Sequence, residues 1–165
     1  MKVFKIAARA IIGIALGMLF APVLYLLLIS FGTTGFTDWF FLITTDFTTF
    51  LTSYVAVGSA CMTVPLIALF TTYTLGTWLG FFGVSMVVCI VIGMWAGAIE
   101  RSPGRGIGVG VGIWLGWFII ALIFVLAMGG DIVLFLNGLV DAWFGVVLII
   151  VAAAVFGAIT KSEEF

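Results

Sequence analysis

From Ala10 to Ser30 the sequence runs AIIGIALGMLFAPVLYLLLIS without one charged side chain. A run of about 20 such residues crosses a hydrocarbon core of roughly 30 Å as one α-helix. Apolar blocks of similar kind cover about 10–31, 54–75, 77–98, 108–129 and 142–159. A mean hydropathy of +1.44, with 8% of residues charged, leaves too little polar surface to coat a soluble domain. The short alternating segments of a membrane β-barrel are missing. The expected fold is all-α: a polytopic transmembrane helix bundle of four to six spans, forming a single integral membrane domain over 1–165 in the cell membrane.

The first block follows a basic head, with Lys2, Lys5 and Arg9, and so resembles a signal peptide. It is too long for the apolar core of one, and no A-x-A site follows it. An uncleaved first span is expected, with Pro22 tolerated inside it.

The topology turns on FTDWFFLITTDFTTFLTSY, residues 36–54. The stretch is too apolar for an ordinary loop and too rich in Thr and Asp for an ordinary span. It also belongs to a composition shift, because 13 of the 14 threonines lie between Thr33 and Thr77. With five spans and a simple loop here, the basic residues divide three against three across the membrane. With an even number of crossings before Arg101, all six (Lys2, Lys5, Arg9, Arg101, Arg105 and Lys161) face one side, as the positive-inside rule favours. An even count arises if 36–54 is a sixth, polar span. It also arises if 36–75 is a re-entrant or interfacial unit beside four spans. A crossing would bury Asp46 and require a partner, a proton or water for it. Asp46, Thr45, Thr48 and Thr49 then form a candidate polar cavity. An external stretch would leave Asp46 a solvated loop carboxylate.

Glycine spacing marks the helix contacts. Gly104, Gly108, Gly112 and Gly116 fall on one i+4 column, and Gly106 and Gly110 on a second. Gly13, Gly17 and Ala21 repeat the pattern in the first block, Gly93 and Gly97 in the third, and Ala153 and Gly157 in the last. Missing side chains let helix backbones approach closely, within the bundle or against another subunit. Trp78, Trp95, Trp114 and Trp143 lie near block ends, where indole rings favour the headgroup layer. GAIERS at 97–102 resembles GAITKS at 157–162, and GTWLGFFGV at 76–84 resembles GLVDAWFGV at 138–146. A tandem repeat of two hairpins, about 54–102 and 108–162, would put Arg101 and Lys161 on the same side.

Chemistry is sparse. Histidine is absent, which removes the usual haem and metal ligand. Cys61 and Cys89 form no CxxC and read as small buried hydrophobes. The glycine-rich GRGIGVGVGIWLG has neither G-x-G-x-x-G spacing nor a following G-K-[ST]. Glu100 beside Arg101 reads as a solvated interfacial pair. No catalytic set assembles, so no enzyme activity, cofactor or metal site is expected. A net charge of -1, with no basic stripe, sets nucleic acid aside. The expected partners are the lipid bilayer and other membrane subunits or a second copy. The leading functional expectation is a small non-catalytic membrane subunit or scaffold in a larger assembly. The alternative is a small transporter, channel or substrate-binding component that uses the Thr-rich region around Asp46.

Overall fold

A computed structural model describes residues 2–30, 35–71 and 74–162. They form eight helices: α1 Lys2–Ile29, α2 Gly35–Thr45, α3 Phe47–Cys61, α4 Leu66–Thr71, α5 Leu75–Glu100, α6 Pro103–Ala127, α7 Ile132–Asp141 and α8 Trp143–Ser162. Four of them, α1, α5, α6 and α8, are long and apolar enough to cross a membrane. The chain is thus an all-α, membrane-embedded helix bundle.

The helix boundaries follow local chemistry. Asp46, Thr74 and Asp131 cap the N-termini of α3, α5 and α7 by accepting hydrogen bonds from first-turn amides. Pro103 opens α6, where its missing N–H costs nothing. Arg101 ends α5 in the left-handed region, at φ 46°. Its amide donates to the Gly97 carbonyl, and α6 begins two residues later.

Close approaches between helices give their directions. A Cβ added at Gly13 or Gly17 would meet Val109 or Ile113, so α1 and α6 run parallel. One added at Gly93 or Gly97 would meet Ile149 or Ala153, so α5 and α8 also run parallel, opposite to the first pair. Arg9 at the start of α1 donates to the Ile99 carbonyl at the end of α5. Gly157, late in α8, lies against the backbone of Ser102 and Pro103. The positions of all six basic residues therefore gather at one end of the bundle, the basic end. Asp38 lies on α2, and Asp46 and Asp131 cap α3 and α7, all at the far end.

Among the described residues of 36–75, no helix has the length of a span. The apolar block 54–75 is not one span: it is the inner part of α3, a bend at 62–65 and the short α4. At 15 residues α3 is roughly 22 Å long, too short for a full crossing. It descends from the far end and stops in the middle of the bundle. The Tyr54 hydroxyl reaches the carbonyls of Met18 and Leu19, both at 3.2 Å. The Ala60 carbonyl accepts from Ser85, and the Cys61 carbonyl accepts from the Cys89 thiol. Pro65, which has no N–H to continue a helix, stands in the bend. The chain then returns to the far end, where the Trp78 indole donates to the Pro65 carbonyl at 2.8 Å.

A break also precedes the last long helix. From α6 the chain turns at Gly129 and descends as α7. It breaks at Ala142, which is fully buried, and continues as α8. The C-terminus of α3 meets the N-terminus of α8: a Cβ at Gly145 would sit 2.5 Å from the Met62 carbonyl oxygen. Opposite helix ends attract, and this contact lies among the buried Cys61, Met62 and Cys89.

Tryptophans depart from the headgroup expectation. Trp78 and Trp114 are buried inside the bundle, Trp95 packs on Phe20, and only Trp143 is largely exposed. Trp117, 1% exposed, fills the space left by Gly58, where a Cβ would lie 2.1 Å from its ring. Trp78 turns inward for a different reason, since its indole donates to the Pro65 carbonyl.

Candidate functional site

Asp46 does not enter the bundle. It is the single residue between α2 and α3, and its carboxylate caps α3. Oδ1 accepts from the Thr49 amide at 3.0 Å, and Oδ2 accepts from the Thr49 hydroxyl at 2.6 Å. These bonds favour the ionised form and hold the carboxyl below its ordinary value. Thr45, Thr48 and Thr49 are exposed beside it. The structure thus brings the four residues of the candidate cavity together on an outer surface, not around an enclosed space. The hydroxyls of Thr44, Thr45, Thr52 and Thr63 donate back to carbonyls three or four residues earlier. This local bonding lets the Thr-rich stretch remain helical in an apolar setting. The hairpin is closed by Trp39, whose indole donates to Ser53 at 2.9 Å and whose ring stacks on Tyr54.

The glycine columns divide into closed and open portions. Gly112 and Gly116 lie against Ile14 and Met18 of α1, as Gly13 and Gly17 lie against α6. On the other side, α5, α6 and α8 meet backbone to backbone. A Cβ at Gly97 would be 2.5 Å from the Ala153 carbonyl oxygen, and one at Gly106 would be 2.7 Å from the Gly97 Cα. At Gly104 and Gly108, by contrast, an added Cβ would meet nothing within 4 Å. The same holds for Gly76, Gly80 and Gly83 on the outer half of α5. That half is bare because α8 begins only beside Cys89 and covers α5 from there to the basic end.

Gly104 and Gly108 border a cleft of about 430 Å³ between α1 and α6 at the basic end. Ala7, Ala10 and Ile14 form its α1 wall, and Glu100 and Arg105 are its charged residues. Here the expectation of a solvated Glu100–Arg101 pair is corrected. Glu100 is 3% exposed, and among the described residues neither carboxyl oxygen has a hydrogen-bond donor. Its burial follows from its neighbours. Arg101 turns out of the helix in the left-handed conformation and is exposed, while the glycine seam draws the last turn of α5 into the bundle. A buried polar atom without a partner costs about 1–3 kcal/mol. Sequence reasoning passed over Glu100 because a neighbouring arginine normally signals a surface pair. The available signal was its position between two glycine-rich helices joined by a two-residue turn.

No protein-family model matches the chain, and no curated protein or solved structure matches it either.

Proposed function

We propose that the protein is a non-catalytic, multi-pass component of the cell membrane that docks a transmembrane helix of another subunit on the outer half of α5. The supporting observation is the column Gly76, Gly80 and Gly83, which stands open between the exposed Leu75, Leu79 and Phe81. Lipid tails are as apolar as leucine, so helices associate in a bilayer through close packing and not through burial from water. Every closed glycine column in this bundle receives a neighbouring helix, and this column has the same form without one. By the positive-inside rule the basic end faces the cytoplasm, so the docking face lies in the outer leaflet. The reading requires no catalytic residue, cofactor or nucleic acid.

The test is copurification in mild detergent followed by crosslinking from a photoreactive residue at Leu79. A defined membrane protein should crosslink, and Gly80→Leu should abolish that product without lowering the unfolding midpoint. Retention of the partner by Gly80→Leu would contradict the reading. A product between identical chains would make the partner a second copy.

A second reading, a transport component, is favoured by the re-entrant α3 and the broken α7–α8, since interrupted helices line substrate sites in many transporters. It ranks lower because the junction between them is packed with Cys61, Met62 and Ala142, each fully buried. Uptake by the purified protein alone in liposomes would reverse that order.

A further inference from the structure

We propose that the cleft between α1 and α6 at the basic end holds the headgroup of an aminophospholipid, its ammonium on Glu100 and its phosphate beside Arg105.

Three observations converge. The first is the unpartnered acid. Glu100 is almost wholly buried, lines the cleft, and has two oxygens that accept no hydrogen bond among the described residues. Arg9, on the facing helix, donates one of its five guanidinium N–H groups to the Ile99 carbonyl, and Glu100 accepts none of the others. Both oxygens lie just beneath the surface, so a donor bonds them once the Glu100 side chain turns into the cleft it lines.

The second is shape. The column Gly104–Gly108–Gly112–Gly116 is closed by α1 along its inner half and open along its outer half. The cleft therefore tapers, wide at the helix ends and narrow toward Ile14. Apart from Glu100 and Arg105 its walls are apolar. A ligand that fits has a polar head outward and an apolar chain leading inward.

The third is charge complementarity together with depth. Glu100 and Arg105 offer one acidic and one basic group at the end of four membrane-length helices, the level at which lipid headgroups lie. An ethanolamine head carries the complementary pair, a primary ammonium and a phosphate. The ammonium can donate charge-assisted hydrogen bonds to a carboxylate, and a guanidinium suits a phosphate. A choline head has the same charges but no N–H, so it leaves the Glu100 oxygens unbonded. The site should therefore distinguish the two heads.

Lipid retention read by native mass spectrometry tests the assignment on the full chain in mild detergent. The probes are phosphatidylethanolamine and phosphatidylcholine with identical acyl chains. The wild-type protein should retain the ethanolamine lipid roughly tenfold better, the factor that one charge-assisted hydrogen bond confers. Glu100→Gln should bring the two to equality, and Arg105→Gln should weaken both without changing their ratio. Gly108→Leu, which fills open space, should exclude both lipids without lowering the unfolding midpoint. Equal retention by the wild-type protein, or a preference that survives Glu100→Gln, would overturn the proposal. Displacement of the lipid by soluble glycerophosphoethanolamine at matched concentration would overturn its lipid part, since the site would then read a free head. None of these readouts depends on whether α5 docks a partner.

Discussion

The two ends of the molecule handle their carboxylates in opposite ways. At the far end Asp46 is an outward-facing helix cap with two donors, both from Thr49. At the basic end Glu100 is buried with none. The apolarity of the flanking sequence would suggest the reverse, because Asp46 lies amid Phe, Leu and Ile whereas Glu100 precedes a polar turn. The difference lies in how each end packs. The far end is built from short helices wedged by large rings such as Trp39, Tyr54 and Trp117, and an acid at a helix break there can turn outward. The basic end is built from glycines whose backbones touch, and a side chain emerging between such helices has only a cleft to enter.

The strongest challenge to this contrast is Gly97→Leu. At the basic end there is backbone, not a flexible side chain, 2.5 Å from the new Cβ. The substitution should cost more than about 4 kcal/mol and prevent recovery of a folded bundle by size-exclusion chromatography. Gly80→Leu, on the open face, serves as its control and should leave the monomer folded. At the far end Trp117→Ala should cost about 3 kcal/mol, by leaving a cavity over Gly58. Denaturation in mixed micelles would measure it.

Smaller effects separate the two acids by sign. Glu100→Met, measured in lipid-depleted detergent, should stabilise by about 1–3 kcal/mol, because it replaces partnerless oxygens with an apolar chain of similar size. Asp46→Ala should destabilise only locally, as faster amide exchange over the first turns of α3. The pH dependence of that protection has a defined sign. The folded Asp46 has a lowered pKa relative to an ordinary value of 3.8. Its contribution is therefore complete above that ordinary value and lost as pH falls through the lower folded one. Exchange at Thr49 should accelerate over that acidic window and show no carboxyl-linked change above it.

Much of the fold was legible in composition. The apolar runs gave the helix-bundle class, and the six basic residues, which pointed to an even number of crossings, have their positions at one end of the bundle. Glycine spacing marked contact faces such as those of Gly13 and Gly97, but not which helix each one meets or which part of a column stays open. Gly104 and Gly112 are equivalent in sequence, but Gly112 meets Ile14 of α1, whereas Gly104 and Gly108 share a cleft with the short side chains of Ala7 and Ala10. The bend at 62–65 was hidden because the residues around Pro65 are as apolar as any span. Glu100 was missed for a related reason: burial of an interfacial acid depends on backbone approach from helices distant in sequence, while the adjacent Arg101 supplies a misleading local cue.

The central claim is that 36–74 enters and leaves at the far end, opposite the basic end. Single cysteines at Thr45 and Lys161, both exposed, test it in intact cells and inverted vesicles with a membrane-impermeant thiol reagent. Cys61 and Cys89 are buried and would be replaced by alanine to remove background. The account predicts labelling of the two positions from opposite faces, with Lys161→Cys reached from the cytoplasm. Labelling of both from the same face would contradict it.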